Sequence, residues 1–229
     1  MPGMKLILFD CDGTIVDSQH AISSAMEAAF NAHGLMAPER SRIVEVVGLS
    51  LVTAVRELIP EAEFDLVVRI ADTYKDAFGN LRRQAAHEEP LFPLARETIE
   101  ELAARQDITL GLATGKSRRG VDAIIERERM HGLFKTIQTA DHNPSKPHPG
   151  MVLQAMSEVG VEPHSTLVVG DTTFDMEMAL SARAKAVGVT WGYHPRAALQ
   201  VVGAHALIDS YAELPATIDR LLALGDHVS

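Results

Sequence analysis

Lys5-Leu6-Ile7-Leu8-Phe9-Asp10-Cys11-Asp12-Gly13-Thr14 contains the run that decides the fold. Leu6 to Phe9 is apolar at every position and stops at a carboxylate, and Gly13 follows too soon for a helix. Such a run suits a strand buried on both faces of a parallel sheet. The same signature returns at Ile108–Thr114 and at residues 166–171, with weaker copies at 136–139, 184–189 and 206–209. Helical patterns separate these runs. Residues 96–105 place Ile99, Leu102 and Ala103 on one face. Ser117 is positioned to cap a helix running to His131 with Gly132 as its terminator, and Pro149 opens a helix that Gly160 closes. This alternation predicts an α/β fold, a doubly wound, Rossmann-like parallel sheet with helices on both faces. Its ligands should gather at the carboxyl ends of the strands.

Residues 18–87 break the rhythm. Helical segments at 21–33 (closed by Gly34), 50–59 (closed by Pro60) and 64–83 follow one another with no buried-strand run between them. We expect an all-helical cap domain at 18–87, inserted into a core made of residues 1–17 and 88–229. The return linker would be His87-Glu88-Glu89-Pro90-Leu91-Phe92-Pro93, stiffened by its two prolines.

At 229 residues and 46% apolar the chain has material for a large core, which rules out fibrous and disordered classes. Twenty-one basic against 31 acidic residues leave a net charge of −10. The basic pairs Arg82-Arg83 and Arg118-Arg119 read as solvated helix surface, so no nucleic-acid partner is expected. A single cysteine, Cys11, excludes an internal disulfide and a cysteine-built metal site. No apolar run approaches a membrane span, and the start leads straight into a strand. The expectation is a cytoplasmic protein with no membrane partner, monomeric or homodimeric.

Four polar clusters stand where strands stop. In extended chain Asp10 and Asp12 face the same side, about 6–7 Å apart. Their repulsion is relieved by a cation or a shared proton, and a hard, oxygen-liganded ion such as Mg²⁺ would supply the first remedy. Asp-Gly also forms ordinary surface turns. Thr114-Gly115-Lys116-Ser117 offers a hydroxyl and backbone N–H groups to a phosphate, although the same four residues make a common helix cap. Lys146 lies in Ser145-Lys146-Pro147-His148-Pro149, aimed by its stiff surroundings. In Gly170-Asp171-Thr172-Thr173-Phe174-Asp175, Asp171 ends a buried strand, while Thr172 and Asp175 have capping-box spacing. Cys11 should point to the opposite face as an inert thiol, and the histidines show no paired ligand spacing.

These clusters, in this order, resemble the haloacid dehalogenase-like hydrolase superfamily over the whole chain. The run from Leu8 to Ser18 carries most of the likeness. The helical insert and Lys146-Pro147-His148-Pro149 resemble its phosphoglycolate phosphatase-like branch with a small helical cap. The resemblance implies a Mg²⁺-dependent phosphatase acting on a small phosphate monoester. Asp10 would be the nucleophile, forming an aspartyl-phosphate, and Asp12 the general acid and then base. For that Asp12 should sometimes hold a proton near neutral pH, favoured by Asp10 and Asp171. Mg²⁺ would be bound by Asp10, the Asp12 carbonyl and Asp171. Thr114, Gly115 and Lys146 would bind the phosphoryl oxygens, and Asp175 would orient Lys146 or the metal's waters. The alternatives are a sugar-phosphate phosphomutase and a non-catalytic phospholigand-binding protein. Gly48-Leu49-Ser50 and one of Arg40, Arg42, Arg56 or Arg69 are the candidates for reading the leaving group.

Overall fold

In the computed structural model, residues 3–83 and 89–223 are described. Six strands, β1 (Lys5–Phe9), β2 (Ile108–Thr114), β3 (Phe134–Thr139), β4 (Thr166–Gly170), β5 (Lys185–Val189) and β6 (Ala206–Ile208), form one parallel sheet in the order β3-β2-β1-β4-β5-β6. The chain steps outward from β1 in one direction and then in the other. The reversal puts β1 at the centre, where such sheets open a crevice at their carboxyl edge.

The unbroken apolar runs follow from burial on both faces. Ile7, Phe9, Leu110, Leu112, Leu167 and Val169 pack into one layer and Leu6, Leu8 and Val168 into the other. The first layer receives helices α5 (Ala95–Ala103), α6 (Arg118–Arg127) and α10 (Leu214–Leu222). The second receives α7 (Gly150–Val159), α8 (Thr173–Ser181) and α9 (Arg196–Val202). Cys11 lies in the first layer, at 2% exposure among apolar neighbours, as strand alternation predicts. Burial pushes its thiol far up from the ordinary range.

Ser117 caps α6 by accepting from the Gly120 N–H, and Gly160 ends α7 in the left-handed region. α6 stops at Arg127, short of the expected His131. Arg129 takes φ +51°, and Met130 N–H reaches back to the Ile125 carbonyl, closing the helix before Gly132 is reached.

Between β1 and α5 lie α1 (Gln19–Ala32), α2 (Arg40–Glu45), α3 (Leu51–Leu58) and α4 (Phe64–Arg82). They pack around a hydrophobic cluster of their own that includes Ile22, Met26, Phe30, Ile43, Val55, Val67 and Ile70. The six-residue α2 was not predicted. The expected boundary at 87/88 and the first two linker residues lie outside the described residues. The rest of the linker runs antiparallel to the chain leaving the core. Asp17 N–H donates to the Pro90 carbonyl (2.8 Å) and Phe92 N–H to the Ile15 carbonyl (3.0 Å). Among the described residues no helix is long and apolar enough to cross a membrane.

Candidate active site

Three neighbouring strands deliver the side chains. β1 ends at Asp10, whose N–H donates to the Val169 carbonyl of β4 (2.9 Å). β2 ends at Thr114, and β4 runs directly into Asp171. Asp10, Thr114 and Asp171 are buried, as are Lys146 and Asp175. The structure therefore brings together the strand-end residues singled out in the sequence.

Asp171 is held from two sides. Its Oδ1 accepts from the Thr14 hydroxyl (2.8 Å) and its Oδ2 from the Tyr193 N–H (2.8 Å). Gly13 and Gly192 permit this approach. A Cβ on either would come within 2.2 Å of Asp171 atoms, and Gly13 also adopts φ +81°. Asp175 closes a capping box with Thr172, as the spacing predicts. Its second oxygen accepts from Lys146 Nζ at 2.5 Å. The same ammonium lies 3.0 Å from Asp10 Oδ1.

Carboxylate oxygens of Asp10, Asp171 and Asp175 all lie within 4.8 Å of one another. Neither oxygen of Asp10 has an aligned hydrogen-bond donor among the described residues, since Lys146 approaches as a charge without completing the bond. Burial, then the charges of Asp175 and Asp12, push the Asp10 carboxyl up to about 6 against the pull of Lys146. Burial, Asp175 and Asp10 drive Asp171 well above the usual carboxylate range. Lys146, although buried, is held above its ordinary value by Asp10 and Asp175. One lysine thus pairs with two carboxylates of a cluster of three. A buried carboxylate with orphaned oxygens beside two more fits a hard, oxygen-ligated cation.

Asp12 departs from expectation. Its carboxylate accepts two bonds from Lys116 Nζ, at 2.6 and 2.8 Å, and one from the Ser18 hydroxyl. Burial works to raise its pKa, but Lys116 outweighs it and the carboxyl is held below its ordinary value. The raised carboxyls are Asp10 and Asp171. Lys116 was visible inside Thr-Gly-Lys-Ser, but its sequence position says nothing of a partner 104 residues away. Glu89 and Arg82 were also missed. Glu89 Oε2 accepts from Arg82 Nε (2.8 Å), and Glu89 Oε1 lies 3.6 Å from Lys116 Nζ.

The carboxyl edge opens into a cavity of about 740 Å³, which Asp10, Asp12, Thr114, Gly115 and Lys116 line on one side. Helices α1 to α4 and their loops line the other, with Met26, Val47, Leu49, Ser50, Tyr74 and Phe78 among the contributors. Gly115 sits directly beneath the Gly48 and Leu49 carbonyls, and Ser50 N–H donates to Ser145 Oγ (2.8 Å) beside Lys146. Gly48-Leu49-Ser50 therefore stand at the site. Arg40, Arg42, Arg56 and Arg69 do not line the cavity. Arg40 meets His20, Arg42 meets Glu45, and Arg56 donates to the Ala62 carbonyl and lies over the Phe64 ring. The lining cations are instead Lys75, Arg82, Arg83, Lys116 and Arg119, including both members of one pair read as solvated surface and one member of the other.

Residues 7–189 match the family model described as haloacid dehalogenase-like hydrolase. The chain is 33% identical over 225 residues to a probable phosphatase, IndB, of Dickeya dadantii, covering 96% of each chain. It is 26% identical to a phosphoglycolate phosphatase of Photorhabdus laumondii, covering 95% of this chain and 94% of that one. Its fold superposes on a hydrolase from Pseudomonas syringae with a TM-score of 0.81 at 25% identity, over 95% of this chain and 98% of the other.

Proposed function

Since the chain belongs to the haloacid dehalogenase-like hydrolase family, and is a phosphatase of that family, we propose that it hydrolyses a small phosphate monoester, phosphoglycolate-like in size, through an aspartyl-phosphate on Asp10. The observation that carries this reading is Asp10 itself, buried at the centre of the sheet edge with the Lys146 ammonium 3.0 Å from Oδ1 and no donor on Oδ2 among the described residues. A carboxylate so sparsely held keeps lone pairs for an electrophile or a cation.

In the first half-reaction an Asp10 oxygen bonds to phosphorus, the phosphorus–ester oxygen bond breaks, and the leaving oxygen takes a proton from Asp12. In the second, water attacks the phosphorus of the acyl phosphate and gives a proton to Asp12, and the Asp10 carboxylate departs with inorganic phosphate released. The Thr114 hydroxyl, the Gly115 N–H and Lys146 would hold the phosphoryl oxygens, and Asp175 keeps Lys146 aimed. Asp10, Asp171 and the Asp12 carbonyl would hold Mg²⁺, which supplies charge neutralisation for the phosphoryl group. Helices α1 to α4, treated as a cap over residues 18–87, would exclude water and receive the leaving group. Phosphate esters are among the slowest of uncatalysed hydrolyses, with accelerations up to ~10²¹, so all these parts are needed together.

The test is a screen of phosphate esters with Mg²⁺, followed by Asp10→Asn on the best substrate. The expected result is release of phosphate equal to the alcohol formed and loss of turnover in the variant. Undiminished turnover in Asp10→Asn overturns the assignment. Isomerisation without release of phosphate points to a mutase. Binding of phosphate esters without turnover of any points to a binding protein.

A further inference from the structure

Lys116 stands between two carboxylates. Its Nζ makes bonds of 2.6 and 2.8 Å to the two oxygens of Asp12 and lies 3.6 Å from Oε1 of Glu89. The Glu89 side chain is only 1% exposed. Its Oε2 is taken by Arg82 Nε of α4 (2.8 Å) and approached by Arg127 Nη1 of α6 (3.4 Å), and its main-chain carbonyl accepts from Arg127 Nη2 (2.5 Å). Glu89 is therefore fixed from both the helical insert and the core. Its Oε1 has no hydrogen-bond donor among the described residues, and neither does Arg82 Nη2 have an acceptor there. A buried charged acceptor left open is an unusual and costly arrangement that a nearby donor will fill.

Any proton that Asp12 exchanges must pass through one of its two oxygens. Lys116 covers both, and Ser18 adds a second donor to one of them. While these bonds stand, Oδ1 is filled by two donors and Oδ2 keeps a single lone pair for a leaving group or a water. Lysine is the mobile partner, a point charge on a four-carbon stem. Closing from 3.6 Å to an ordinary charged hydrogen bond of ~2.8 Å asks for about 0.8 Å of movement.

We propose that Glu89 is a positioning residue, the second seat of Lys116, to which the ammonium passes when the ester enters, uncovering the Asp12 carboxylate for proton exchange. This rests on the phosphatase reading above. It also gives α4 a part in catalysis, because Arg82 at its end holds Glu89 in place.

The test compares kcat/KM of wild type, Glu89→Gln and Glu89→Gln with Lys116→Met, all with Mg²⁺. Two substrates are used, an alkyl phosphate that the wild type hydrolyses and p-nitrophenyl phosphate, whose leaving oxygen departs without a proton. For Glu89→Gln we expect a loss of at least ~10-fold on the alkyl ester, KM unchanged, and less than ~3-fold on the aryl ester, since the lost contribution is that of a general acid. Adding Lys116→Met removes the cover from Asp12 and recovers at least ~3-fold on the alkyl ester. Equal losses on both esters, or no recovery, overturn the proposal.

A second measurement needs no substitution. Crystals of the wild type with Mg²⁺ and vanadate should show Lys116 Nζ within ~3.2 Å of Glu89 Oε1 and away from Asp12. Lys116 found still on Asp12, or on the vanadate, overturns it. A wild type that hydrolyses no phosphate ester in the screen overturns the phosphatase reading and this one together. An active wild type with the wrong variant pattern overturns this one alone.

Discussion

Replacing Gly115 by alanine tests how closely the helical insert approaches the strand-end loop. Gly115 is not among the residues with positive φ, so its backbone accepts a side chain without strain. The obstacle is spatial. A Cβ there would lie 2.6 Å from both the Gly48 and Leu49 carbonyl oxygens. Carbon and carbonyl oxygen tolerate approaches of ~3.3 Å, so the loop and the 48–49 segment must part by about 0.7 Å. Both contacts are to backbone, which cannot swing aside as a side-chain tip would. A misplacement of that order at a reacting centre costs about 100-fold, or ~2.7 kcal/mol of transition-state stabilisation. We therefore expect kcat/KM for phosphate release to fall about 100-fold. The contact joins two segments rather than filling a core, so the stability loss should be near the low end of overpacking, ~1 kcal/mol, and Tm should fall by about 2–4 °C. Gly34→Ala is the control. Its φ is +70° with nothing within 4 Å of the new Cβ, so it should cost ~1 kcal/mol of backbone strain and leave kcat/KM alone. Initial rates and circular-dichroism melts give both readouts. A Gly115→Ala enzyme within about 3-fold of wild type, on the scale of that ~100-fold cost, would refute the reasoning and show that this approach is not kept in the working state.

Lys146→Met removes the ammonium that Asp10 and Asp175 share at 3.0 and 2.5 Å; a broken buried pair costs ~3–5 kcal/mol, so Tm in EDTA should drop on the order of 10 °C. Arg56→Ala loses a bond to the Ala62 carbonyl and a place over the Phe64 ring; ~1 kcal/mol of stability should go while kcat/KM stays, and a fall in kcat/KM with Tm intact would return Arg56 to the substrate. Asp107 is held well below the usual carboxylate range by hydrogen bonds from Arg105 and Lys5. A lowered folded-state pKa contributes stability that is present above the unfolded value and lost as pH falls through the folded one. Asp107→Asn should therefore cost ~0.5–1 kcal/mol at pH 7 and low salt, and flatten the acid-side decline of Tm below about pH 4.

What the sequence made legible was local. The strand runs at 5–10, 108–114 and 166–171 announced themselves because each is buried on both faces. Asp10, Thr114 and Asp171 could be placed because they end those runs. The Thr172–Asp175 box and the Gly34 and Gly160 terminators needed only short-range spacing. The missed features depend on distant parts of the chain. Lys116 meets Asp12 across 104 residues and Glu89 across the mouth of the insert, so the ionisation of Asp12 could not be read from its neighbours Asp10 and Gly13. Arg82 looked like a solvated charge because its pairing with Glu89 forms only where the insert returns to the core. The early end of α6 turned on Arg129 entering the left-handed region, where a glycine three residues on had seemed the natural stop.

The central place of β1 has a consequence for biosynthesis. β1, made before the other five strands of its sheet, is bonded to β2 on one side and β4 on the other, so its second neighbour appears only when residue 170 has been translated. At ~5–20 residues per second, Asp10 waits about 8–30 s for Asp171. Lys146 is made in that interval, ahead of Asp171 and Asp175. The nascent chain thus gains its buried cation before Asp175, the carboxylate that most repels Asp10, and that pair meets with its counter-charge already in hand.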